Sequence, residues 1–273
     1  FIFIGIAHSN LELKRPMNPP DLSKLEQAIR KAVRMRSDGA AVALSGGVDS
    51  ALVACLAGKE CVAVGLTGSH DLRHAGRAAE LLGLSLNRVQ IDPPRIEEAL
   101  KSVLPAISDK DPVNASIAAT LYFVSEWAAE HGYRRILAGQ GADELFAGYS
   151  RYLQSRDMAA DLERDFSDLP RQIARDRAVA ALHGTAFCLP YLDAEVVAAA
   201  RAIPVEVLIK DGIRKWPLRL VAERHMPAEI AWHEKKAMQY GSGVMREMER
   251  LAAKRGYKRA IQKYLETLSA ASQ

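Results

Sequence analysis

Short apolar segments alternate with helical segments along the first half of the chain. The apolar runs lie at 40–45, 61–66, 87–91 and 134–139. Helical periodicity marks the segments at 49–58, 71–83, 95–104 and 114–131. Short strands joined by helices of about ten residues or more favour a parallel sheet that is covered on both sides. We therefore predict an α/β fold with a five-stranded parallel sheet and helices on both faces. The pattern locates four of the five strands.

From about residue 151 the chain shows helical periodicity and no strand signal. Prolines interrupt this pattern, at Pro170, Pro190, Pro204, Pro217 and Pro227. Because proline ends or kinks a helix, we expect a series of helices that packs on the sheet. Residues 1–20 are polar, contain several prolines and are predicted to form an irregular lead-in. The remaining residues, 21–273, are predicted to form a single domain.

Composition excludes several classes of protein. The 273 residues are 49% hydrophobic and 26% charged, with a net charge of +4. Basic and acidic residues are interleaved, so no stripe for nucleic acid is predicted. The apolar segment 1–6 is too short to span a membrane and lacks the features of a signal peptide. Three cysteines without paired spacing are typical of a reducing compartment, and we expect a cytoplasmic protein.

The first apolar strand runs into a loop built for an anion. Residues 45–50 read Ser-Gly-Gly-Val-Asp-Ser and lead into a helix. Adjacent glycines let backbone N–H groups approach a phosphate, and hydroxyls and the helix N-terminus add to the attraction. Asp49 would repel phosphate unless a divalent cation lies between them, which implies Mg²⁺. The loop is not of the Walker type, because Gly58-Lys59 is followed by Glu60 rather than by Ser or Thr.

A second glycine-rich segment, at 139–149, follows the strand at 134–139. Gly139 and Gly141 would let a nucleotide lie against the backbone, and Asp143 begins a helix. Two carboxylates that face one polyphosphate make a natural Mg²⁺ site, so Asp49 and Asp143 are predicted to share the ion. The alternative is that Asp143 and Glu144 only favour a helix N-terminus.

These segments are predicted to meet at one edge of the sheet. Ser45, Leu66 and Gly139 each lie at the carboxyl end of a predicted strand. In open parallel sheets, ligands bind beyond the carboxyl ends of the strands. The predicted nucleotide-binding core is 21–150, and the predicted helical, substrate-side portion is 151–273.

Five segments, in order, resemble a known family. Residues 45–50 are similar to the pyrophosphate loop of the N-type ATP pyrophosphatases, also called the PP-loop family. Residues 139–149 resemble the signature of the asparagine synthetase B group within them. Further similarities lie at 64–72, at 189–193 and at 232–243, where Trp-His-Glu-Lys precedes two glycines. The resemblance implies an adenine nucleotide alpha-hydrolase-like, Rossmann-like fold.

The resemblance implies adenylation of a carboxylate by ATP, followed by displacement of AMP by ammonia or an amine. The residues that it implies for ATP are Leu44, Ser45, Gly46, Gly47, Val48, Asp49, Ser50, Val64, Leu66, Gly139 and Gly141. Asp49 and Asp143 would hold Mg²⁺. Lys235 corresponds to the family lysine that stabilises negative charge at the α-phosphate, and Gln140 lies at a catalytic position.

Two departures from the family pattern concern the second half-reaction. Gln140 stands where the family usually carries Glu, and an amide cannot take a proton from an attacking amine. Residues 183–188 lack a Glu and an Arg of the family pattern on the acceptor-substrate side, which argues against aspartate as the substrate. Glu144 is an alternative base, although the residues favour it only weakly.

The glutaminase half of the usual enzyme is not found in these residues. We expect free ammonia or another amine as the nucleophile, or ammonia from a separate amidotransferase subunit, and a homodimer is possible. Two other functions stay open: a PP-loop enzyme that modifies tRNA, and a degenerate nucleotide-binding or regulatory homologue. His70 and His74 lie four residues apart, but the sequence shows no third metal ligand at diagnostic spacing.

Overall fold

The structure is a computed structural model that describes residues 21–234 and 241–270. Its first half alternates helices and strands close to the predicted bounds. These elements are α1 (Ser23–Arg36), β1 (Ala40–Ala43), α2 (Val48–Ala57), β2 (Cys61–Gly65), α3 (His70–Leu82), β3 (Leu86–Gln90), α4 (Pro93–Val103), α5 (Pro112–Glu130), β4 (Arg135–Leu137) and α6 (Ala142–Leu145). The predicted lead-in, 1–20, lies outside the described residues.

The second half is mostly helical, as expected, but it also contains strands. Its elements are α7 (Met158–Ala181), β5 (Ala186–Cys188), α8 (Ala194–Arg201), β6 (Ile209–Lys210), β7 (Ile213–Arg214), α9 (Trp216–Glu223), α10 (Ala228–Ala231), α11 (Val244–Lys254) and α12 (Ile261–Ala270). The expectation of no strand after about residue 151 is therefore wrong. β5 has only three residues, too few for an alternating or apolar pattern to stand out.

Five strands form one parallel sheet in the order β3-β2-β1-β4-β5. The predicted five-stranded parallel sheet is confirmed, and its fifth strand is β5, which pairs with β4. β6 and β7 form a separate antiparallel hairpin. The chain order reverses between β1 and β4, because β2 and β3 extend the sheet in one direction and β4 and β5 in the other.

Helices cover both faces of the sheet, as predicted. Neighbouring residues of a strand point to opposite faces, and they belong to different hydrophobic clusters. Val42 packs in one cluster with α1, α2 and α3, whereas Ala41 packs in the other with α4, α5, α11 and α12. Leu137 and Ile136 of β4 divide in the same way. The central strands are buried on both sides, which explains their continuous apolar runs.

Pro170 does not interrupt a helix, in contrast to the prediction. It lies inside α7, a helix of 24 residues that runs from Met158 to Ala181. Proline removes one backbone hydrogen bond from a helix interior, but Pro170 itself is exposed and Leu169 beside it is buried. Packing of the buried face of α7 against α5 and β5 keeps the helix continuous. Tertiary contacts here override a local signal.

Within residues 21–234 and 241–270, no helix combines the length and the apolar character needed to cross a lipid bilayer.

Replacing Pro170 by alanine should stabilise the protein. The change restores a backbone N–H inside α7, and we expect the free energy of unfolding to rise by about 1–2 kcal/mol. The gain is smaller than the full cost of a helical proline, because proline also restricts the unfolded chain. Urea unfolding followed by circular dichroism measures the difference. Arg171→Ala, at an exposed neighbouring position, is the control and should change stability little; equal effects of the two changes would contradict the explanation.

Candidate nucleotide-binding site

The loop after β1 is held by hydrogen bonds between its own serines. The backbone N–H of Ser45 donates to Oγ of Ser50 at 3.1 Å, and the two hydroxyl oxygens lie 2.9 Å apart. Ser50 also donates to the carbonyl of Gly47 at 3.2 Å. Val48, Asp49 and Ser50 form the first turn of α2, and Gly47 is its N-cap. The loop thus ends at a helix N-terminus, where a phosphate group is favoured.

Glycine is required at position 46. Its φ is +78°, and a Cβ there would lie 2.5 Å from the carbonyl carbon of His74 in α3. Both the left-handed backbone and the close approach to another chain segment exclude a side chain. The predicted phosphate loop is therefore packed directly against α3.

The loop after β4 contacts the loop after β1. A Cβ on Gly139 would lie 3.0 Å from the Cβ of Asp49 and from the backbone nitrogen of Ser50. Gly141 has a φ of +90°, and a Cβ there would collide with Leu192. The predicted meeting of the two glycine-rich loops is thus present in the structure. They lie at the carboxyl ends of β1 and β4, where the order of the sheet reverses and where such folds bind ligands.

Lys215 joins the two predicted metal ligands. Its ammonium nitrogen lies 2.5 Å from Oδ2 of Asp49 and 2.8 Å from Oδ1 of Asp143. The side chain of Lys215 is buried, and Gly148 packs so closely that a Cβ there would overlap Asp143 and Lys215. Asp49 and Asp143 therefore converge on a single cationic group, even though they are far apart in sequence.

Burial and charge act in opposite directions on Lys215. Loss of water lowers the pKa of the ammonium group, but attraction to Asp143 and Asp49 outweighs it and raises the pKa above its ordinary value of 10.5. The backbone of Lys215 has a φ of +59°, an uncommon value for a residue with a side chain. Asp49, Asp143 and Lys215 together therefore carry one net negative charge. Sequence reasoning missed Lys215, because it lies after a two-residue strand and belongs to no recognisable motif.

The residues that were expected to border adenosine differ in their surroundings. Leu44 and Val64 are both buried, but their side chains belong to the hydrophobic clusters on opposite faces of the sheet. Leu66 is half-buried; its N–H donates to the carbonyl of Ser242 at 3.0 Å, and its side chain lies close to Gly243. The side chains of Leu44 and Val64 therefore do not line the same surface. Their contact with a nucleotide stays a prediction.

Gln140 faces a buried carboxylate. Its amide nitrogen donates to Oδ2 of Asp176 at 3.4 Å, and Oδ1 of Asp176 accepts from Nε of Arg175 at 2.8 Å. Arg175 also donates to Asn114 at 2.6 Å. Burial raises the pKa of Asp176, although Arg175 opposes the shift. A glutamate at position 140 would place a second negative charge beside Asp176, which is unfavourable in a buried setting, so glutamine suits this environment.

Glu144 is hydrogen-bonded to a tyrosine and a glutamine. Its Oε1 accepts hydrogen bonds from the Tyr149 hydroxyl at 2.5 Å and from Gln172 at 3.1 Å. The residue is 4% exposed, and burial raises the pKa of its carboxyl group. These contacts explain its presence as part of the packing between α6 and α7. Lys235, the remaining predicted catalytic residue, lies outside the described residues.

Comparison with known proteins agrees with the resemblance. The family model described as asparagine synthase matches residues 24–179 and 162–269, and the chain belongs to the asparagine synthase family. It is 32% identical over 291 aligned positions to the protein provisionally named glutamine-hydrolyzing asparagine synthetase 1 of Methanocaldococcus jannaschii, with 89% of this chain and 54% of that protein covered. It is 26% identical to asparagine synthetase B of Escherichia coli, with 83% and 46% covered.

The chain spans about half the length of these curated relatives. Among solved structures, the NMN synthetase of Francisella tularensis aligns with 65% of this chain and 92% of its own, at 18% identity and a TM-score of 0.33.

Replacing Lys215 by methionine should destabilise the protein by about 3 kcal/mol, because two carboxylates lose their shared counter-charge. The pKa of Lys215 is raised above its ordinary value of 10.5, so its contribution is complete below that pH and is lost as the pH rises through the raised value. The difference from the parent should therefore stay constant between about pH 7 and about pH 9. Chemical unfolding at several pH values measures it.

Mg²⁺ should raise the thermal midpoint of Lys215→Met more than that of the parent, because a divalent cation can neutralise the two carboxylates that have lost the lysine. Lys101→Met is the matched control, since Lys101 is exposed and pairs with the half-buried Glu97, which also receives hydrogen bonds from Tyr264 and Arg255; the change should therefore cost little. Absence of any Mg²⁺ effect on the thermal midpoint of Lys215→Met would show that Asp49 and Asp143 do not form a cation site.

Proposed function

We propose that the chain is an ATP-dependent amide ligase that forms AMP and pyrophosphate. The observation that carries the proposal is the convergence of Asp49 and Asp143 on one cationic group, next to a serine- and glycine-rich loop at the reversal point of a parallel sheet. Membership of the asparagine synthase family supports the same chemistry.

The loop at 45–50 would hold the pyrophosphate portion of ATP. Ser45 and Ser50 offer hydroxyl groups, and the first turn of α2 offers backbone N–H groups without intrahelical partners. Gly46 and Gly47 are buried, and without side chains they would let phosphate oxygens approach the backbone N–H groups of the loop. Gly139 and Gly141 would allow the remainder of the nucleotide to approach the neighbouring loop.

Asp49 and Asp143 fit a magnesium ion. Carboxylate oxygens together with phosphate oxygens are the ligands that Mg²⁺ prefers, and these two groups already share one cation, Lys215. When bound, the ion would neutralise charge on the departing pyrophosphate. Lys215 would supply a further fixed positive charge, which does not require the ion.

The reaction would proceed in two displacements. A carboxylate oxygen of the substrate forms a bond to the α-phosphorus of ATP, and the bond to pyrophosphate breaks. The nitrogen of ammonia or an amine then bonds to the acyl carbon, AMP leaves with the electron pair, and the nitrogen loses a proton. Phosphoryl-type transfer depends mainly on positioning and charge neutralisation, so lysines at the phosphates are the expected contribution of the protein. Lys235 is our candidate for the α-phosphate.

Gln140 would orient the acyl acceptor rather than take the proton. Its hydrogen bond to Asp176 holds the amide in place, and an amide has no basic group at neutral pH. The amine would then be deprotonated by another group or arrive neutral. We propose small molecules as the carboxylate and the amine, with free ammonia or a separate amidotransferase subunit as the nitrogen source. A cytoplasmic location and a homodimer stay predictions.

Asp49→Asn should lower pyrophosphate release by about 100-fold or more, because one charge that positions the metal and the phosphates is removed. The assay incubates the chain with ATP, Mg²⁺, single carboxylic acids and single amines, measures pyrophosphate and AMP, and identifies amides by mass spectrometry. Aspartate with ammonia is one of the combinations.

Asp168→Asn, at an exposed position on α7, is the control. Equal turnover of Asp49→Asn and the parent would reject the metal role, and the absence of AMP with every acid would reject the ligase.

Lys235→Ala should leave ATP affinity unchanged and slow formation of the acyl-adenylate. The expected loss is about 100-fold in a single-turnover experiment, because a charge that acts on the transition state is removed. Lys236→Ala is a matched control, since it removes the same type of side chain one position later. If Lys235→Ala and Lys236→Ala reacted at the same rate as the parent, Lys235 would have no part in adenylation.

A further inference from the structure

Three histidines form a cluster beside the loop at 45–50. His70 and His74 lie on the first two turns of α3, and His233 follows α10. One ring nitrogen from each histidine lies within 4.8 Å of the others. The ring of His74 stacks on that of His233, with the centroids 4.1 Å apart, and the ring of His70 lies tilted against it at 4.0 Å. Sequence spacing identified two of these residues, and the fold supplies the third.

The cluster is held in place from several sides. The carbonyl of His233 accepts a hydrogen bond from Nη1 of Arg219 at 3.0 Å. The backbone of His74 packs against Gly46. Oδ1 of Asp71 lies 3.6 Å from Nδ1 of His70, close enough to orient that ring after a small movement. A carboxylate behind a histidine is the arrangement that commonly orients metal-binding imidazoles.

All three side chains are half-buried, and Nε2 of His233 is buried with no hydrogen-bond partner within residues 21–234 and 241–270. Burial lowers the pKa of His74, with a contribution from Arg73. Burial also lowers the pKa of His233, and the nearby His74 and Arg219 lower it further. Neutral imidazole is the form that binds metals, whereas a phosphate would prefer the protonated form.

We propose that His70, His74 and His233 bind one divalent transition-metal ion of the zinc class. Three imidazole ligands with a fourth position for water or another oxygen ligand suit Zn²⁺ and Co²⁺ and do not suit Mg²⁺. Nitrogen atoms around a tetrahedral zinc lie roughly 3.3 Å apart, whereas these nitrogens lie within 4.8 Å of one another, so rotation of the side chains would complete the site. This site is distinct from the oxygen ligands Asp49 and Asp143, and it does not depend on the proposed ligase activity.

The test uses the full chain without an affinity tag of histidines, freed of metal with a chelator. Titration with Co²⁺ should produce visible absorption typical of a tetrahedral or five-coordinate centre, and this absorption should saturate at one equivalent of Co²⁺. Zn²⁺ should displace the bound Co²⁺, whereas Mg²⁺ should not. His74→Ala and His233→Gln should each weaken Co²⁺ binding more than about tenfold, since each removes a ligand. His131→Ala is the control, because His131 is exposed and stacks on Trp127.

Asp49→Asn should bind Co²⁺ as tightly as the parent, which separates this site from the proposed magnesium site and from the ligase activity. Circular dichroism of every variant verifies folding, and Zn²⁺ should raise the thermal midpoint of the parent but not of His233→Gln. Absence of a Co²⁺ spectrum, equal affinity of the parent and both cluster variants, or loss of binding in Asp49→Asn would overturn the proposal. Binding of pyrophosphate to the cluster without any metal would also overturn it.

Discussion

The ion pairs of Lys215 with Asp49 and Asp143 hold three separate parts of the chain together. Asp49 comes from the helix after β1, Asp143 from the helix after β4, and Lys215 from the end of the β6–β7 hairpin. Without a cation between them, two carboxylates at this distance would repel each other. The lysine therefore allows the two acidic loops to meet at the position where we propose that a polyphosphate and its metal bind.

The sheet topology decides where Lys215, Asp49 and Asp143 lie. β1 is the central strand, and the chain extends in opposite directions on its two sides. The loops after β1 and β4 therefore lie where the chain order of the sheet reverses, which is where sheets of this kind bind ligands. Gly46 and Gly139 let α3 and the second loop approach the first loop closely. Consequently, the histidine cluster of α3 lies beside the proposed pyrophosphate loop rather than on a remote surface.

Several features could be predicted from local residue patterns. The apolar runs of β1 and β2 are long enough to be recognised, and the glycines and serines at 45–50 indicate an anion loop by their chemistry. In contrast, β5 is too short to carry a pattern, and Pro170 lies in a helix that packing stabilises. Lys215 and Asp176 follow no motif, so their place at the site could not be inferred before the fold was known.

The amino-acid sequence by itself determined the α/β class, the edge at which the glycine-rich loops lie and the residue types that meet there. Those properties depend on local propensity, periodicity and chirality, which act over a few residues. Only the tertiary structure decided that Lys215 bridges Asp49 and Asp143, that Gln140 faces Asp176, and that His233 joins the two histidines of α3. Those contacts connect residues far apart along the chain, and their energy depends on a low-dielectric surrounding that exists only after the helices and the sheet have packed.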